Sequence, residues 1–263
     1  MTRSDATPAT RPEHAAYPIP LRQYDLRTIL AVWAAAAVPM GLLSWLVVPV
    51  LGRWFGGAAG LPKALLLCLT AGLAWQFVLV AVLVRREVGS WRWSALRDAL
   101  WLRAPLHPAT GRRGGRVWWA VVPPVLAFGL LQLIPGLRAP TDRDLGAFLG
   151  SESGRQLFAG SWLWFAVVVA MAVCNTVLGE ELLFRGLLLP RMQAVFGSRS
   201  WLANGVLFGG YHLHMPWAVP QSICAGMILA YPSARHRSAW LGIAVHSVQS
   251  VIIVAATLAL VLR

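Results

Sequence analysis

Glu180, Glu181, Arg185, His212 and His246 lie inside long apolar runs of this 263-residue chain. An ionisable side chain within a membrane span is costly, so each is a functional hypothesis by default. The first three fall in Gly179-Glu180-Glu181-Leu182-Leu183-Phe184-Arg185-Gly186, His212 closes Phe208-Gly209-Gly210-Tyr211-His212, and His246 is followed by Gln249 and Ser250. On a helix Glu181 and Arg185, four residues apart, share a face and can form a local ion pair. Glu180 is rotated about 100° from that face. Glu181 is therefore expected to be structural, and Glu180, with no local partner, is the candidate general base. Phe208 and His212 also share a face, so the ring can fix the imidazole. Ser250 lies four residues beyond His246 and Gln249 within one turn, so either could donate to an oxyanion.

Each of these residues also has a plain structural reading. Glu181 with Arg185 can be a buried packing clamp, and an isolated His212 would more often be a hydrogen-bonded core histidine. Depth favours a site. At about 1.5 Å per residue, Glu180 lies about 16 Å from Arg191, His212 about 18 Å from Ser200, and His246 about 14 Å from Arg237. Three spans thus bring polar groups to nearly one level. His107, His214 and His236 read as interfacial. Tyr211 and Asn204 read as helix contacts, with Asn204 on the face of Phe208 and His212. Gly209-Gly210 reads as close helix approach or local unwinding.

The elements that must position these groups are apolar runs of about 20 residues, the length that crosses roughly 30 Å of hydrocarbon. They are expected at 28–51, 63–84, 117–136, 161–189, 201–215, 217–234 and 238–262, with Pro123-Pro124 kinking or breaking the third near its start. The first run begins near Ile29 after a polar, proline-containing tail and is long enough to span, unlike a secretory leader. Between the second and third runs, 91–103 places Trp93, Leu96 and Leu100 on one helical face, with Arg92, Ser94 and Asp98 elsewhere, as in a helix lying in the interface plane. The fold class expected is all-α: a polytopic helix bundle of about seven spans plus this interfacial helix. Residues 1–25 read as a disordered cytoplasmic tail and 26–263 as the transmembrane domain. Arginines of the tail, of the 85–116 loop, and Arg191, Arg199, Arg235 and Arg237 fall on one side of this arrangement. By the positive-inside rule that side, and the N-terminus with it, is cytoplasmic.

Composition agrees with a membrane class. The chain is 57% hydrophobic and 13% charged, against about 25% charged residues in soluble domains. The formal charge of +13 sits in the gaps between apolar runs instead of on one soluble domain, which argues against nucleic-acid binding. Cys68, Cys174 and Cys224 show no CxxC spacing and read as small core residues. The Ala-, Arg- and Trp-rich composition reads as bacterial, so a bacterial plasma membrane is the expected location.

At these residues the chain resembles the CAAX-protease and bacteriocin-processing (CPBP, Abi) family of intramembrane endopeptidases, over roughly 117–262. The EExxxR motif matches Glu180, Glu181 and Arg185, and FxxxH matches Phe208 and His212. The third motif, His with Asn or Asp four residues on, has His246 but Ser250 in the Asn position. The resemblance implies that Glu180 activates water with help from His212, while His246 and residue 250 steady the oxyanion. It implies a membrane-associated protein or peptide as substrate and no cofactor. The family core has eight helices, and segment 91–103 would supply the eighth.

Three other classes compete. Two histidines and a glutamate could bind zinc and make a metalloprotease, although there is no HExxH and the histidines come from separate helices. A non-catalytic immunity or scaffold protein could keep the same fold, and Ser250 gives that weight. A proton-coupled transporter could use buried Glu and His, but no internal repeat is evident.

Overall fold

The computed structural model describes residues 21–140 and 143–263. Residues 1–20, most of the expected tail, lie outside the described residues. The architecture is all-helical, and among the described residues the only extended pairing is an isolated bridge between Leu106 and Arg113.

Among the described residues four helices are long and apolar enough to cross a membrane: α1 Leu26–Phe55, α2 Gly60–Val88, and two further on in the chain that carry site residues, Trp162–Arg191 and Ala239–Val261. Sequence patterning expects about seven spans, and the other three runs are built differently. The third opens as a 3-10 turn, Gly115–Val121, because Pro123-Pro124 is confined to the start of the α-helix that follows. The 201–215 run stops as an α-helix at Tyr211 and tightens to 3-10 geometry. The 217–234 run is one 18-residue helix, diluted by Gln221, Ser222, Ser233 and Pro232.

In chain order after α2, these and the shorter elements are α3 Trp93–Ala99, α4 Val122–Gln132, α5 Leu145–Gly150, α6 Glu152–Phe158, α7 Trp162–Arg191, α8 Ser200–Tyr211, α9 Val219–His236 and α10 Ala239–Val261. Large apolar side chains face outward along several of them. Leu46, Val50, Leu126, Leu163, Val251 and Ile252 are each more than 60% exposed, an outer surface suited to lipid.

Glycines set the closest helix contact. A methyl group at Gly205 would strike Met227, and one at Gly209 would strike Ile223. The α8–α9 hairpin therefore packs backbone against backbone, as small residues permit in membranes. This is the close approach expected at Gly209, and the local unwinding follows two residues later. Indole donors tie α1 to this hairpin and to α2: Trp33 Nε1 donates to Leu207 O (2.8 Å), Trp45 Nε1 to Leu213 O (3.2 Å), and Trp75 Nε1 to Ala35 O (2.8 Å).

The basic loop packs inward more than its amphipathic pattern suggests. Trp93 is exposed and Leu100 buried, but Asp98, expected on the outer face, is buried and bound by Arg103 and Arg97. Past α3 the chain docks on the α9–α10 turn. Leu106 N–H donates to His236 O (2.8 Å), Ser238 Oγ to Arg103 O (2.7 Å), and Ala239 N–H to Trp101 O (2.9 Å). These bonds anchor the first turn of α10, the helix that carries His246.

Two residues expected at the surface, Arg191 and Tyr24, are also buried. Arg191, read as a loop charge, is fully covered and bonds Glu87 (2.7 Å) and the carbonyls of Ala99 and Leu187. Its long stem lets the guanidinium reach inward to a carboxylate that neutralises it. Residues 21–25 are extended and docked: Tyr24 N–H donates to Arg191 O (2.9 Å) and its hydroxyl to Glu87. Of the cysteines, Cys68 is buried but Cys224 is exposed.

Candidate active site

Helix α7 carries the first cluster, and it is not a regular α-helix. Two stretches, Cys174–Gly179 and Leu182–Leu188, run in π geometry, in which hydrogen bonds span five residues and the helix is locally widened. Within the first stretch Thr176 Oγ1 donates to Ala172 O (2.8 Å). Gly179 packs against the Leu73 carbonyl, where any larger residue would collide. The widened helix then turns Glu180 and Glu181 to different neighbours.

Glu181 faces the protein interior. Its Oε1 lies 3.0 Å from Arg185 Nη1, as the i,i+4 spacing predicts, and both side chains are fully buried. The approach is a close charge contact that is not aligned as a hydrogen bond. Arg185 also donates through Nη2 to Gly226 O (3.1 Å) and stacks its guanidinium over Phe208 at 4.3 Å. The same Oε1 accepts a hydrogen bond from His246 Nδ1 at 3.0 Å. Glu181 thus joins Arg185 to His246, a role its pairing with Arg185 alone does not suggest.

Glu180 faces a cavity of about 270 Å³. His212 lies opposite, with Nε2 3.9 Å from Glu180 Oε1. His212 is oriented from below: its Nδ1–H donates to Phe208 O (2.9 Å), and the two rings sit 4.8 Å apart. That bond leaves Nε2 as an acceptor facing Glu180. The gap is too long for a direct hydrogen bond and suits a water held between the two. His246, Gln249 and Ser250 line the same cavity. The expected residues therefore converge, with His246 bonded to Glu181.

Three polar groups around the cavity were not singled out by spacing. His214, expected at the interface, is buried and stacked on His212 with centroids 5.4 Å apart. The 3-10 turn after Tyr211 folds it back under the site. Tyr211 lines the cavity and accepts from Gln76 Nε2 of α2 at 2.6 Å. Asn175 also lines the cavity, with Nδ2 3.4 Å from His246 Nε2. Asn204 lies deeper, donating to Phe184 O (2.9 Å), so it braces α8 against α7 and does not touch the cavity.

Taken together, these features define a helical membrane protein with a buried polar site walled by apolar side chains. Residues 160–252 match a family model, Rce1-like, described as type II CAAX prenyl endopeptidase Rce1-like. That segment contains all three motifs, and the match is consistent with the CAAX-protease and bacteriocin-processing resemblance. With the four long apolar helices, it supports an integral membrane protein and a CAAX-protease-like intramembrane endopeptidase. No curated protein and no solved structure matches the chain.

Proposed function

We propose that the protein is a glutamate-dependent intramembrane endopeptidase acting on a membrane-associated protein or peptide. The observation that carries this reading is the 3.9 Å separation of Glu180 and His212 in one cavity, with the imidazole held from behind by the Phe208 carbonyl. A water in that gap donates one hydrogen toward Glu180 Oε1 and the other toward His212 Nε2. Both oxygen lone pairs are then uncommitted, and one can attack a carbonyl carbon.

The chemistry follows from those positions. Glu180 takes a proton from water as the oxygen bonds to the scissile carbonyl carbon, and the C=O electron pair moves to oxygen. His246, with Ser250 and Gln249 beside it, flanks the cavity where that oxyanion forms. When the C=O re-forms, the C–N bond breaks and the nitrogen takes the proton from Glu180, giving an amine and a carboxylic acid that then loses its proton to water. Glu181, Arg185 and Phe208 hold the two histidine-bearing helices in register and touch no reacting atom. The chemistry assigns no step to a metal or other cofactor.

In this reading residues 26–263 form one transmembrane domain of about seven spans plus the 91–103 segment, with its core at about 117–262. Spans α4, α8 and α9 cross as shorter, protein-packed helices, the N-terminus is cytoplasmic, and the membrane is a bacterial plasma membrane. A second reading, a non-catalytic immunity or scaffold protein on the same fold, is favoured by one observation: Ser250 stands where the third motif has Asn or Asp. Comparing membrane peptides from strains carrying wild type and Glu180→Gln separates the two.

A further inference from the structure

The geometry points to Asn175 as the side chain that supplies the oxyanion-binding N–H, in the place the third motif leaves to Ser250. This rests on the endopeptidase reading and names a residue that the motifs do not contain.

The hydrogen-bond order around His246 carries the inference. Glu181 Oε1, part of a carboxylate, can only accept, so His246 Nδ1 carries the hydrogen in their 3.0 Å bond. The neutral ring then presents Nε2 to the cavity as a lone pair. A lone pair cannot stabilise an oxyanion. What stands beside it is Asn175 Nδ2, at 3.4 Å, a primary amide with two hydrogens. One points toward His246 Nε2, and the second is available to the cavity that Asn175 lines with Glu180. Glu181 and His246 thereby act as positioning residues for the amide.

Helix geometry explains how Asn175 reaches the site. Five residues separate it from Glu180, a spacing that puts the two on well-separated faces of an α-helix. Cys174–Gly179 is π-helical, and there residues five apart are hydrogen-bonded neighbours on one side. The widening thus brings general base and amide to the same cavity. Ser250 also lines that cavity, but it offers one donor on a short stem. During reaction the amide donates to the oxygen that receives the C=O electron pair; no bond to Asn175 forms or breaks.

The test uses full-length protein in native membranes and the product peptides whose release Glu180→Gln abolishes. Asn175→Ala and Asn175→Asp should slow their release about 100- to 1,000-fold, the loss typical of one oxyanion donor, with Ser250→Ala losing at least tenfold less than either. Asn175→Ala/Ser250→Asn should recover at least tenfold over Asn175→Ala, because the amide returns from α10. Thermal unfolding in detergent accompanies each variant. If Asn175→Ala unfolds early, Asn175→Asp, of nearly equal volume, and the Ser250→Asn rescue decide the outcome. Wild-type release rates in both Asn175 variants would overturn the inference while leaving the peptidase reading in place. Loss in Ser250→Ala alone would overturn it in favour of the serine. Unchanged peptides in Glu180→Gln would overturn both.

Discussion

Glu181 Oε1 is shared between the guanidinium of Arg185 and the imidazole of His246, each at 3.0 Å. One carboxylate oxygen therefore neutralises the buried arginine of its own helix and sets the tautomer of a histidine on α10. Both jobs depend on its charge. Glu181→Gln should destabilise the protein by about 3–5 kcal/mol, because Arg185 is left buried without a counter-charge. Adding Arg185→Met should recover much of that loss, since the stranded charge is removed as well. Denaturant or thermal unfolding in detergent checks this. Equal stability of Glu181→Gln and wild type would show that the pair does not carry the charge balance.

Gly242 gives the Glu181 carboxylate its space. A methyl group there would overlap Glu181 Oε2 and lie 3.0 Å from Ser233 Oγ, which accepts the Gly242 N–H at 3.1 Å. Gly242→Ala should cost about 1–3 kcal/mol as an overpacked core substitution and should lower activity by displacing the carboxylate that holds His246. Gly41→Ala is the control, because nothing lies within 4 Å of that position. A Gly242→Ala protein as stable and active as Gly41→Ala would contradict the packing described.

Burial pushes the Asp98 carboxyl up, but hydrogen bonds and charge from Arg103, with Arg97, outweigh it and hold the group below the usual carboxylate range. The folded state thus favours the ionised form. Its stabilisation is complete above the unfolded value of about 3.9 and is lost as pH falls through the lower folded value. Unfolding midpoints of wild type should therefore drop in acid relative to Asp98→Asn, with the gap widest near neutrality. Parallel pH curves for the two proteins would rule this out.

No three His, Cys, Asp or Glu side chains are grouped closely enough to hold a metal among the described residues. Peptide release should persist within about twofold after exhaustive chelation. Loss on chelation with recovery on adding zinc would favour the metalloprotease alternative.

What was legible in the sequence is what α-helical spacing controls. The Glu181–Arg185 and Phe208–His212 contacts follow from residues four apart, and Glu180, His212 and His246, expected at one depth, line one cavity. Asn175 was not legible, because its route to the cavity depends on a π-helical stretch that changes which residues are neighbours. His214 was hidden by the 3-10 turn that folds it back beneath His212. Arg191 looked like a loop charge because its partner, Glu87, lies about a hundred positions earlier in the chain. Pro123-Pro124 and the polar residues of α9 shorten or dilute runs whose composition still reads as apolar, so among the described residues four helices are long and apolar enough to span. In each case a local pattern was overridden by backbone geometry or by a distant partner.

The central claim is that Glu180 activates water. Its most direct test compares membrane peptides, by mass spectrometry, between strains expressing wild type and Glu180→Gln at equal membrane levels. The account predicts that discrete cleavage products vanish in the variant while their uncleaved precursor accumulates, because the amide keeps the shape of the carboxylate but cannot accept the proton. Identical peptide profiles with undiminished biological function would contradict it.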